Sequence, residues 1–203
     1  KEAVTPLLDR LAPSADLVGA VNTVVIDEGE FVGHNTDVHG VEMTFESNHV
    51  DPKGKKALLL GAGGAARACC AYLSSAGART SVYNRTRARA EQLCRSFRHC
   101  QAIDFDTLSS DYEIIINSTP LGMEGFPQEL PAPSSVLRPG QFVMDLVYTP
   151  SATPFLEAAK QAGASTANGE LMLVHQAMRA FELWTGKAPS FESMVSALKG
   201  ASG

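Results

Sequence analysis

The sequence predicts an α/β protein, a doubly wound parallel sheet preceded by the remnant of a smaller α/β module. Three observations predict it. From Ala57 to Trp184, strand-sized apolar runs alternate with helical patterns, the signature of parallel βαβ units. The first of these runs leads directly into a glycine-rich turn, Gly61-Ala62-Gly63-Gly64-Ala65-Ala66, and then a helical stretch. Upstream of Asn48 the pattern changes to short strands with a tight turn, and a polar loop with Pro52 and Gly54 separates the two regions.

In chain order, Val4, Leu7, Leu8 and Leu11 fall at helical spacing, so a helix is expected over 2–11. Gly19 to Ile26 reads as a strand, Glu28-Gly29-Glu30 as a turn, and Phe31 to Asn35 as a second strand. Thr36-Asp37 before Val38, Val41 and Phe45 predicts a capped helix. Ala57-Leu58-Leu59-Leu60 is continuously apolar, as in a strand buried on both faces. A helix over 65–76, a strand over 80–83 and a helix over 87–98 follow. Further strands are expected at 102–105, 113–117, 141–145 and 165–167. Helices are expected at 154–162, 171–184 and 191–198. The predicted boundaries are 1–48 for the smaller module, 49–187 for the nucleotide-binding domain, and 188–203 for a terminal helix packing back toward the smaller module.

The chain is 44% hydrophobic and 19% charged, ordinary values for a globular protein, which exclude disorder and collagen-like structure. A net charge of −5 argues against a nucleic-acid partner, which would call for a basic surface. No apolar run reaches the roughly 20 residues that span a bilayer, so no membrane partner is expected. Cys69, Cys70, Cys94 and Cys100 form no Cys-x-x-Cys pair and read as small buried residues of a reducing, cytoplasmic setting. His34, His39, His49, His99 and His175 show no metal-ligand spacing, and no metal is expected.

The chemistry begins at the glycine turn. Gly61-x-Gly63-x-x-Ala66 between a strand and a helix has the context that a dinucleotide-binding loop requires. The first glycine makes the turn, the second admits a pyrophosphate to the backbone, and Ala66 allows close helix packing. The diphosphate then meets Gly61, Ala62, Gly63, Gly64 and Ala65 at a helix N-terminus. This is a Rossmann arrangement. About 20 residues on from the first glycine, a site for NAD presents a carboxylate to the ribose. Here the chain has Asn84-Arg85-Thr86-Arg87-Ala88-Arg89 instead. Asn84, Arg85, Thr86 and Arg89 suit a 2′-phosphate, and cations at a helix start are otherwise unfavourable. The expected cofactor is therefore NADP, with a merely solvated basic helix start as the alternative.

Several separated motifs resemble the shikimate dehydrogenase family. They are Gly19-Ala20-Val21-Asn22-Thr23, Asn35-Thr36-Asp37 with Gly40, the glycine turn, Asn84-Arg85-Thr86, Asn117-Ser118-Thr119-Pro120-Leu121-Gly122-Met123, Asp145-Leu146-Val147-Tyr148, and Gly169-Glu170-Leu171-Met172-Leu173-x-x-Gln176. The resemblance implies an N-terminal substrate domain and a C-terminal NADP domain. It also implies reversible, NADP-dependent reduction of 3-dehydroshikimate to shikimate in aromatic amino-acid biosynthesis. Lys1 falls at the family's catalytic lysine, and Asp37 would orient it. The segment the family has upstream of that lysine is absent, so the sequence is expected to be an N-terminally truncated fragment, itself of doubtful activity.

By the same resemblance Lys1, Asn22, Asp37, Tyr148 and Gln176 would hold the substrate. Asn22 also reads as a turn residue, Asp37 as a helix cap, and Tyr148 as a packed strand-end aromatic. Ser118, Thr119, Leu146, Gly169 and Met172 match positions near the cofactor. A homodimer is an expected partner. The alternatives are a quinate/shikimate dehydrogenase using NAD and a catalytically inactive NADP-binding module.

Overall fold

A computed structural model describes residues 4–201. A 3-10 turn over Thr5–Leu7 precedes β1 (Arg10–Leu11) and α1 (Pro13–Val18). Next come β2 (Thr23–Asp27), β3 (Glu30–His34) and α2 (Asp37–Ser47). The alternating region holds β4 (Lys56–Leu60), α3 (Gly64–Ser75), β5 (Arg79–Tyr83), α4 (Arg87–Cys94) and β6 (Cys100–Ala102). It continues through β7 (Ile114–Asn117), β8 (Phe142–Asp145), α5 (Pro154–Gln161) and β9 (Ser165–Ala167). Two helices close the chain, α6 (Glu170–Thr185) and α7 (Phe191–Ala201).

The chain divides into two compact units, one running to Thr44 and resuming at Leu171, the other Phe45–Glu170. In the second, six parallel strands lie in the order β6-β5-β4-β7-β8-β9. The order reverses between β4 and β7, and ligands of such sheets bind beyond the strand carboxyl ends at that point. The central strands are apolar because both faces are covered: Leu58, Leu59, Leu60, Ile114, Ile115 and Ile116 are fully buried. Each contributes about 1.5–3 kcal/mol by leaving water. On one face Leu58, Leu60, Ile115 and Val143 join Phe155, Leu156 and Ala159 of α5 in a single core. Phe45 packs its ring against Tyr72 and Phe142.

In the first unit a three-stranded sheet has the order β1-β3-β2. β2 and β3 pair antiparallel through Glu28 (φ 51) and Gly29 (φ 89), the backbone of a tight two-residue hairpin. β1 adds in parallel on the other side of β3, and Arg10 pairs there with Asp27 and Glu30. Gly40 lets α2 approach α6, since a Cβ on it would stand 2.5 Å from the Met172 carbonyl oxygen. Trp184 of α6 donates from Nε1 to the Val24 carbonyl at 3.0 Å.

Four expectations need correction. The helix expected over 2–11 is a 3-10 turn and a short strand within the described residues. The apolar spacing there serves packing: Leu8, Leu11 and Val21 surround Gly33, where any Cβ would clash. The helix that does form, α1, starts on Pro13 at its first turn and ends at Gly19 (φ 68), the termini that proline and glycine favour. The helix expected to reach Arg98 stops at Cys94, and the strand expected at 102–105 forms at Cys100–Ala102, followed by a 3-10 turn at Phe105. The long helix counted with the nucleotide-binding domain falls in the first unit, where Gly40 and Val24 receive it.

Candidate functional site

At the carboxyl end of β4 the chain turns on Gly61, whose φ of +106 is costly for any residue with a side chain. A Cβ there would also stand 2.5 Å from Ser118 Oγ. Its amide bonds the Tyr83 carbonyl at 2.8 Å, tying the turn to β5. Gly63 differs: it caps α3 with φ −92, and a Cβ on it would meet nothing within 4 Å. That space, over exposed Gly63 and Gly64, opens onto a helix N-terminus with no acidic residue in its first turn and no side-chain cap. Ala62 and Ala65 are half-buried beside it, and Ala66 is fully buried.

The end of β5 carries the basic residues. A cavity of about 670 Å3 is lined by Gly61, Asn84, Arg85, Thr86, Arg89 and Thr119, among others. Asn84 Nδ2 donates to the Thr86 carbonyl at 2.9 Å, which shapes the turn into α4. Arg87 is bound elsewhere, to Glu91 at 2.9 Å and to Asp104. Among the described residues Arg85 and Arg89 make no ion pair, so their charge is directed at the cavity and the uncapped start of α4.

β7 and β8 end on buried polar side chains. Ser118 donates from N and Oγ to the Leu60 carbonyl, both at 2.8 Å. Thr119 is held by Asn117 Oδ1, which accepts from its N at 3.0 Å and its Oγ1 at 2.7 Å. Leu146 donates from N to the Asn117 carbonyl at 2.9 Å. Gly169 is buried so close to Leu146 that any Cβ would collide with the Leu146 carbonyl. Tyr148 is exposed just beyond.

The first unit contributes a separate polar cluster. Asn22 Nδ2 donates to Asp37 Oδ1 at 2.8 Å and to Thr36 Oγ1 at 3.1 Å. Its Oδ1 accepts from Thr36 N at 2.9 Å and Thr23 Oγ1 at 3.0 Å. Asp37 N donates to Asn35 Oδ1 at 2.9 Å, and Asn35 Nδ2 to the Ala20 carbonyl at 3.0 Å. Thr36 Oγ1 donates to Gln176 Oε1 at 3.3 Å. Asn22, Asp37 and Gln176 are thus one hydrogen-bonded set, with Asp37 buried and Asn22 and Gln176 half-exposed.

The described residues therefore place Asn22, Asp37 and Gln176 together in one unit, while Tyr148 belongs to the other. Met172 is buried in the first unit, with its carbonyl against Gly40. The remaining expected cofactor residues share the second unit. Lys1 lies outside the described residues. Sequence reasoning placed Asn117, Asp145 and Thr36 in motifs but made none of them a site residue, and their hydrogen bonds hold the residues it did single out. A usable signal existed: Asn117 and Asp145 are polar residues ending otherwise apolar strands, and they are partners across β7 and β8.

Comparison with known proteins now bears on the site. Residues 43–123 match the family described as shikimate / quinate 5-dehydrogenase, and residues 169–199 match the shikimate 5'-dehydrogenase C-terminal domain. The shikimate dehydrogenase (NADP(+)) of Carboxydothermus hydrogenoformans is 41% identical over 98% of this chain and 74% of its own length. The chain belongs to the shikimate/quinate dehydrogenase family. The family's solved structures carry the same architecture. The shikimate 5-dehydrogenase of Thermus thermophilus, in complex with NADP(H) and shikimate, superposes with a TM-score of 0.89 at 37% identity, covering 99% of this chain and 76% of that one. Quinate dehydrogenase from Corynebacterium glutamicum, in complex with NAD, gives 0.92 at 33% identity over 98% and 74%. No described helix is long and apolar enough to cross a membrane.

Proposed function

We propose that the protein is an NADP-dependent shikimate dehydrogenase, reducing 3-dehydroshikimate reversibly to shikimate. The observation that carries the cofactor half is the cavity that Arg85 and Arg89, free of ion pairs among the described residues, line together with Gly61 of the glycine turn. Those residues fit a dinucleotide. Gly63 leaves space that a side chain would fill, and the uncapped α3 start offers amide donors to a diphosphate. Arg85 and Arg89 supply charge-assisted bonds to a 2′-phosphate. When bound, the cofactor supplies or accepts the hydride.

The substrate half rests on the polar cluster of the first unit and on the family. Asn22 and Gln176 offer amide groups to substrate hydroxyls. The Asp37 carboxylate, which accepts from Asn22, would orient the Lys1 ammonium, and that ammonium would give a proton to the alkoxide oxygen as it forms. Tyr148 contributes a hydroxyl from the second unit. Leu146, Gly169, Ser118 and Thr119 would hold the cofactor in the second unit, and Met172 is a further proposed cofactor residue. A homodimer belongs to the same proposal, supported by exposed Ile26 and Phe31 on the hairpin, and sedimentation of the full-length protein tests it. A cytoplasmic setting agrees with four free cysteines.

The experiment is oxidation of shikimate by the full-length protein with NADP+, followed by absorbance of the reduced cofactor. Turnover is expected, and its absence overturns the proposal. A quinate enzyme using NAD is the second reading, favoured by the Corynebacterium neighbour. It would show preference for quinate and NAD+ in the same assay. A catalytically inactive module would show an NADP-dependent rise in Tm without turnover.

A further inference from the structure

Asp145 is fully buried, a costly place for a carboxylate unless its oxygens are paired. Every partner it has among the described residues is a neutral donor. Its Oδ1 accepts from Asn117 Nδ2 at 2.9 Å and from Val147 N at 3.1 Å. Its Oδ2 accepts from Thr153 Oγ1 at 2.7 Å, while that same Oγ1 accepts from Leu156 N at 3.3 Å and caps α5. Burial raises the carboxyl above its ordinary range, and the bonds from Thr153, Val147 and Asn117 offset only part of that rise. Three directed donors, two on Oδ1 and one on Oδ2, fix the position of both carboxyl oxygens.

The residues it grips are informative. Asn117, fixed through Nδ2, uses Oδ1 to hold Thr119 by both N and Oγ1. Val147, fixed through its N, offers its carbonyl to Gly169 N at 3.1 Å and lies between Leu146 and Tyr148. One buried side chain therefore sets the spacing between the segment after β7 and the segment after β8. The glycine turn and Arg85 take no bond from this network.

We infer that Asp145 is a positioning residue for the nicotinamide end of the cofactor site, acting through the Leu146–Tyr148 segment. This rests on the cofactor reading above. The adenine end is held chiefly by the glycine turn and by Arg85 and Arg89, none of which bonds Asp145, with Thr119 also in that lining.

The test uses the full-length protein, the variants Asp145→Asn and Asp145→Ala, and two ligands. Adenosine 2′,5′-bisphosphate reaches only the adenine end, whereas NADP+ reaches both. In Asp145→Asn the amide oxygen can still accept from Asn117 and Val147, while the amide nitrogen faces Thr153, whose hydroxyl must turn to accept. The shape survives and the acceptor for Thr153 does not, so this variant stays informative should Asp145→Ala fail to fold. The expected result is a fall of at least fivefold in kcat/KM for NADP+ in Asp145→Asn, with the dissociation constant of adenosine 2′,5′-bisphosphate, read by calorimetric titration, within twofold of wild type. Unchanged kcat/KM for NADP+ would overturn the inference, and so would equal weakening of both ligands. Failure of the underlying cofactor reading is distinguishable, because wild type itself would then bind neither ligand.

Discussion

Replacing Gly61 and Gly63 one at a time by alanine separates folding from binding. Gly61→Ala places a side chain at φ +106, which costs about 1–3 kcal/mol. The new Cβ would stand 2.5 Å from Ser118 Oγ, so that hydroxyl must leave its bond to the Leu60 carbonyl, at about 0.5–1.5 kcal/mol. The sum is about 1.5–4.5 kcal/mol, and at roughly 2–4 °C per kcal/mol Tm falls by about 3–18 °C. Gly63→Ala meets nothing within 4 Å and sits at φ −92, so stability changes by under about 0.5 kcal/mol. Its methyl nevertheless enters the space proposed for the diphosphate. Differential scanning calorimetry with and without NADP reads both effects. Gly61→Ala should lower Tm, and Gly63→Ala should keep Tm while losing most of the NADP-induced rise. A Gly61→Ala protein within about 1 kcal/mol of wild type, or a Gly63→Ala protein with full NADP stabilisation, would refute the reasoning.

Other outcomes follow from single contacts. Arg89→Gln removes one charge-assisted contact worth about 1.5–3 kcal/mol, so NADP affinity should fall about 10- to 150-fold while NAD affinity stays level, as calorimetric titration would read. Asn22→Ala removes the bonds of Asn22 to Asp37 and Thr36. It should cut kcat/KM for shikimate at least tenfold and leave NADP stabilisation intact, because every partner of Asn22 lies in the first unit. Burial, with Arg179 and Arg10 nearby, holds the His34 imidazole below its ordinary value. Its folded state therefore resists a proton that the unfolded chain accepts, so this stability is present above about pH 6.5 and is lost as pH falls below it. His34→Gln should flatten the decline of Tm between about pH 6.5 and pH 5.

Much of the parallel sheet was legible because its strands are short unbroken apolar runs, such as Leu58-Leu59-Leu60 and Ile114-Ile115-Ile116, and such runs fit few other structures. The helix expected over 2–11 failed for the converse reason. Leu8 and Leu11 have helical spacing, but Gly33 draws them onto a sheet, a contact between distant segments that local periodicity cannot reveal. The placement of α6 failed similarly, since Gly40 and Val24 decide it from far upstream. At the candidate site, Gly61 and the Arg85–Arg89 stretch could be read because steric and charge requirements leave a mark at fixed spacing. Asp145 was missed because its role depends on a lateral neighbour, Asn117, in another strand.

The central claim is that the end of β5 selects the phosphorylated cofactor. Its most direct test is the ratio of kcat/KM for NADP+ and NAD+ in shikimate oxidation by the full-length protein. Two contacts of about 1.5–3 kcal/mol each predict a preference for NADP+ of about 100-fold or more. Equal use of the two cofactors, or preference for NAD+, would contradict the account.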